Sequence, residues 1–134
     1  MIYNLSRIKK KKSSTWAVEA ISGASYGFEL NSSGYYESKN KGVDNSYAIC
    51  RVKLNLSTKA RVIFNCINYA ESNYDYGVLG NVDTALSLST SADDSSVAKS
   101  FKGSSQSAVQ TFAYSIEEGE HFIDVKYRKD GSVN

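Results

Sequence analysis

The chain has 134 residues, a formal net charge of +2, 41% hydrophobic residues and 22% charged residues. That length points to a single domain with room for a packed core, and the composition excludes a disordered chain. The small net charge argues against nucleic acid as a partner, and no run approaches the ~20 apolar residues of a membrane-spanning helix.

Residues 1–14 read as a basic arm, with Lys9-Lys10-Lys11-Lys12 beside Arg7. Such a run is either a solvated tail or a contact for phosphates and acidic surfaces. No apolar signal-peptide core follows Met1. Residues 15–134 read as one β-sandwich domain. Ten tyrosines and nine glycines, without proline, favour strands joined by turns.

Trp16, Val18 and Ala20 alternate with polar or small residues and predict a strand from Thr15 to Ile21. Tyr26, Phe28 and Leu30 predict a second. Asn31-Ser32-Ser33-Gly34 is a turn signal, after which Tyr35 to Ser38 is extended again. The clearest period of two follows. Ala48, Cys50, Val52, Leu54 and Leu56 share one parity, Tyr47, Arg51, Lys53 and Asn55 the other, and Ile49 breaks the pattern. Val62, Phe64 and Cys66 repeat it, with Ile63 and Ile67 on the opposite parity, as expected of a central strand covered on both faces.

Further strands are expected at Thr84–Ser89, with Leu86 and Leu88 inward, at Ala98–Lys102 and at Val109–Ile116. The run Glu117 to Glu120 reads as a hairpin turn into a last strand through Tyr127. About eight short strands without a helix predict an all-β, antiparallel β-sandwich of jelly-roll form. The turn Lys129 to Ser132 asks for a further strand, so a truncated domain or a partner's strand is expected there.

The chemistry-bearing residues are sparse. Cys50 and Cys66 fall opposite each other if Ser57 to Lys59 is a hairpin turn. They are then a conceivable disulfide, although two buried thiols are the plainer expectation. His121, the single histidine, shares parity with Ile123 and Val125 and reads as structural. No nucleophile elbow, P-loop or dinucleotide fingerprint is present, so the chain reads as non-enzymatic. No cofactor is expected. Asp75, Asp83, Asp93 and Asp94, with Asn73 and Asn81 nearby, offer the hard oxygen ligands that a structural calcium requires, although ordinary turn-forming aspartates are the plainer expectation.

The tyrosines are the better lead. Tyr35 and Tyr36 at one turn, and Tyr69, Glu71, Asn73, Tyr74, Asp75 and Tyr76 in a second segment, combine flat rings with hydrogen-bonding tips. That combination suits sugar rings and protein surfaces alike.

Four phrases carry a resemblance. They are Gly34-Tyr35-Tyr36-Glu37-Ser38-Lys39-Asn40, Ser46-Tyr47-Ala48-Ile49-Cys50-Arg51-Val52, Glu71-Ser72-Asn73-Tyr74-Asp75-Tyr76-Gly77, and Val125-Lys126-Tyr127-Arg128-Lys129-Asp130-Gly131-Ser132. Over residues 15–134 the chain resembles a β-sandwich module of phage and prophage tail, fibre and other virion-appended proteins, which looks like the galactose-binding and carbohydrate-binding jelly rolls. The resemblance implies a virion location after synthesis in the bacterial cytoplasm. It also implies adhesion or assembly rather than catalysis, with host glycan or virion subunits as partners and homo-oligomers as a common state. A carbohydrate-binding module of a secreted or cell-surface enzyme and a purely architectural domain are the alternatives.

Overall fold

The computed structural model describes residues 13–68, 75–102 and 109–129. Among them are nine strands: β1 (Thr15–Ala20), β2 (Phe28–Leu30), β3 (Tyr36–Ser38), β4 (Ser46–Leu56), β5 (Ala60–Ile67), β6 (Tyr76–Gly80), β7 (Ala98–Lys102), β8 (Val109–Ile116) and β9 (Gly119–Lys129). They form a five-stranded sheet in the order β1-β4-β9-β6-β7 and two ribbons, β2-β3 and β5-β8. Every pairing is antiparallel. The chain is therefore an all-β sandwich, as the period-two pattern requires. No helix among the described residues is long and apolar enough to cross a membrane.

The main core lies between the large sheet and the β5-β8 ribbon. Val52, Leu54, Leu56, Leu79 and Ile123 meet Tyr114 and Ile116, with Val62, Phe64 and Phe112 packed against them. Each fully buried aliphatic side chain contributes about 1.5–3 kcal/mol. Gly77 is small for a reason of packing, because a β-carbon there would run into the Phe101 ring.

A second core on the opposite face of the same sheet explains the residue that broke the alternation. Ile49 is fully buried there with Tyr47, Val78, Leu86 and Ala98, and Ile21 and Ala24 pack against them. The first half of β4 is thus covered on both faces, so both parities are apolar. The cover includes residues 81–97, a strap across the sheet. The strand expected at Thr84–Ser89 does not form. Leu86 is buried as foreseen, but Leu88 is 43% exposed. The Leu86 amide donates to the Asp124 carboxylate (3.0 Å) instead of to a neighbouring strand.

Alternate residues of β9 fasten this strap. Asp124, fully buried, accepts from Arg51 Nε at 2.8 Å and Nη2 at 3.2 Å as well as from Leu86. The Lys126 ammonium, 1% exposed, donates to the Ser87 carbonyl and hydroxyl (both 2.9 Å) and the Ser89 carbonyl (3.2 Å), and pairs with Asp93 at 2.6 Å. Arg128 donates to the Thr90 carbonyl at 3.1 Å. Burial pushes the Lys126 pKa down, against the upward pull of Asp93.

Three local expectations are corrected. Ser57 to Lys59 and Glu117 to Glu120 do not close hairpins within a sheet. Each carries the chain from one layer to the other, because β4 pairs with β1 and β9 while β5 pairs with β8. Cys50 and Cys66 consequently lie in different sheets as free thiols, with burial pushing them up to about 12 and about 11. Last, β5 is not central. It belongs to a two-stranded ribbon, leaving Ile63 51% and Ile67 47% exposed.

Lys126→Met should lower unfolding stability by about 3–5 kcal/mol, because it strands the Asp93 charge and two strap carbonyls. Urea titration checks the loss, and limited proteolysis should show faster cleavage in residues 87–92 than in the parent.

Candidate functional site

The β2-β3 hairpin is built by Asn31. Its side-chain oxygen accepts from the Ser33 amide (2.9 Å) and the Tyr35 amide (3.0 Å). Its backbone exchanges with Tyr35 and Gly34, donating to the Tyr35 carbonyl at 2.8 Å and accepting from the Gly34 amide at 3.1 Å. Gly34 takes φ +86°, a conformation that L side chains rarely adopt. Asparagine and glycine at these two positions thus set the turn that displays the next two tyrosines.

Tyr35 is 61% exposed and Tyr36 40%. Leu30, directly across the ribbon from Tyr36, is 54% exposed. The indole of Trp16 stands edge-on to the Tyr36 ring, with centroids 6.3 Å apart. Trp16 is itself 62% exposed, so Trp16, Tyr36 and Leu30 form one outward-facing apolar cluster beside Tyr35. Single exposed apolar residues are ordinary on a protein surface. A contiguous cluster containing two aromatic rings in edge-to-face contact is a mark of a contact surface.

Sequence reasoning missed Trp16. Its alternation with Val18 reads as inward, and its register opposite Leu54 does place it on the core side of the sheet. Yet β1 is the outermost strand, and the indole is left uncovered. The available signal was the polar run Ser13-Ser14-Thr15 immediately before it, which marks the start of an edge rather than the middle of a core.

Trp16 also borders a shallow groove of about 310 Å³ across the ends of β1, β4 and β9. Glu19, Lys53, Asn55 and Glu120 line it. These side chains stand on the face away from the main core, over the half of the sheet that the strap leaves open. The apolar rings on one face and the hydrogen-bonding groups on the other therefore meet around the outermost strand, at Trp16 itself.

The second tyrosine segment lies elsewhere. Tyr76 faces Arg128, whose guanidinium sits 5.1 Å from the ring centre, on the strap side of the sheet. Trp16 is level with His121 through Leu54, whereas Tyr76 is level with Arg128. Seven residues along β9 separate the two by about 23 Å, and they occupy opposite faces. The structure does not bring Tyr36 and Tyr76 to one site. Asp75 is fully buried. Tyr69, Glu71, Asn73 and Tyr74 lie outside the described residues.

The loop aspartates have protein partners. Asp83, at φ +60°, accepts from the Phe122 amide (2.9 Å) and sits 2.7 Å from His121 Nδ1. Asp93 faces Lys126, and Asp94 accepts from the Ser96 amide at 2.7 Å. Asn81 donates to the Ser96 carbonyl at 2.8 Å. Among the described residues, no three His, Cys, Asp or Glu converge as metal ligands.

No family model matches this chain, and neither a curated protein nor a solved structure matches it significantly.

The Asp83–His121 contact sets a pH window. The hydrogen bond to Asp83 raises the His121 pKa above its ordinary 6.5. Partial desolvation opposes ionisation of Asp83, but the bonds from His121 and Phe122 outweigh it and hold the carboxyl below its ordinary 3.8. The histidine's contribution is complete below 6.5 and fades as pH rises through its raised value. The aspartate's is complete above 3.8 and fades as pH falls through its lowered value. Melting temperature should therefore gain most from this pair between those two limits. Asp83→Asn should flatten that gain in a melting series across pH.

Proposed function

We propose that this chain is a non-enzymatic, virion- or tail-associated adhesion module of a phage or prophage, and that it holds host-surface glycan at the Trp16 edge. The observation that carries the reading is the outward cluster of Trp16, Tyr36 and Leu30, next to Tyr35 and to a groove lined by Glu19, Lys53, Asn55 and Glu120. Sugar rings present apolar C–H faces that stack on aromatic side chains, while their hydroxyls exchange hydrogen bonds with carboxylate, amide and ammonium groups. The four phrases that resemble virion-appended sandwiches support the setting.

The test is a glycan array probed with the labelled protein, followed by calorimetric titration of the best sugar. Trp16→Ala should weaken binding at least ~10-fold, a change of about 1.4 kcal/mol. Because the indole is mostly exposed, the same substitution should alter folding stability by no more than about 0.5 kcal/mol. An array without hits, together with a partner subunit recovered through Trp16 from assembled particles, would replace the glycan by a neighbouring virion protein. Genes for polysaccharide-degrading enzymes beside this one would instead favour the carbohydrate-binding module of an enzyme.

A further inference from the structure

The β5-β8 ribbon has a property that the other edges lack. Edge strands expose unpaired backbone groups, and proteins normally guard them with charges, proline or bulges. Among the described edge strands, β1 carries Glu19, β2 Glu29, β3 Glu37, β5 Arg61 and β7 Lys99, whereas β8, Val-Gln-Thr-Phe-Ala-Tyr-Ser-Ile, carries no charged side chain. It has no glycine or proline either. At eight residues it is among the longest of these edges, and among the described residues it pairs with β5 alone. Its position is firm. Tyr114 donates to the Gly80 carbonyl at 2.9 Å, and Phe112 packs on Phe101 with ring centroids 5.0 Å apart, so the strand lies over β6 and β7 at one side of the sandwich.

We infer that β8 is a dimerisation strand, pairing antiparallel with β8 of a second copy about a two-fold axis to give a continuous sheet β5-β8-β8-β5. A two-fold pairing must set residues of the same face opposite each other, since partners across an antiparallel ladder share a face. An axis through Phe112 meets this condition. It places Phe112 beside Phe112 and Gln110 beside Tyr114 on the core side. On the outer side it places Thr111 beside Ala113 and Val109 beside Ser115. No charged side chain lies anywhere along the seam, so two copies meet there without electrostatic repulsion. The same pairing through β5 about Phe64 would set the single charged side chain of that strand, Arg61, against Ile67.

Thr111 and Ala113 are exposed, so charges introduced there leave the core intact. The chain should sediment as a concentration-dependent dimer. Thr111→Lys with Ala113→Lys sets lysine against lysine twice across the axis, and should yield a monomer that melts within a few degrees of the parent chain diluted to its own monomeric range, since the Thr111–Asn65 hydrogen bond lost with it is exposed. Thr111→Glu with Ala113→Glu should do the same. An equimolar mixture of the two variants should recover the dimer, because lysine now opposes glutamate. A monomer at every concentration of the unaltered chain would overturn the inference. So would a dimer indifferent to both variants, or a trimer or fibre, which indicates head-to-tail β8-to-β5 pairing instead.

Discussion

Everything in this molecule is referred to the eleven-residue antiparallel pairing of β4 with β9. One face of that pair supplies Val52, Leu54, Leu56 and Ile123 to the main core. The other face supplies Tyr47 and Ile49 to the second core, together with the anchors Arg51, Asp124, Lys126 and Arg128. A slip of one residue would exchange these sets and bury the charges against the β5-β8 ribbon. Register and layer identity are therefore the same constraint.

The strap shows how a segment without regular secondary structure is held in place. Its apolar anchor is Leu86, but most of its fixation is polar, through one buried carboxylate and one buried ammonium on alternate positions of β9. Charges buried this deeply stabilise only when every bond is made. Lys126 meets the condition with two carbonyls, a hydroxyl and a carboxylate. That arrangement holds residues 81–97 over one half of the sheet and leaves the other half, with Glu19, Lys53 and Asn55, open as a groove.

The sandwich was legible in the alternation of β4, β5 and β9, and the Asn31–Gly34 turn was legible from its residue types. The irregular entry at Ile49 was visible as an anomaly but not interpretable, because its cause, a second cover, comes from segments distant in sequence. Turns that cross between layers use the same residues as turns that close hairpins, so Ser57–Lys59 read as the wrong kind. Lys126 gave no sign of burial, since lysine on alternate positions ordinarily marks a wet face. At the candidate site, the tyrosine turn was found from composition and its indole partner was not. An edge tryptophan and a core tryptophan share the same alternation; the polar run before Trp16 was the one local sign of an edge, and strand order decides it.

The centre of the large sheet is completed by the last of its strands to be synthesised. Arg51 waits 73 residues for Asp124, which is about 4–15 s of ribosomal elongation at ~5–20 residues per second. Throughout that interval β4 presents apolar side chains on both faces and has no partner on one flank. Contacts this distant in sequence also place the refolding chain among slow, millisecond-to-second folders. In a cell making many copies at once, yield would then depend on keeping nascent β4 strands apart until their own β9 arrives.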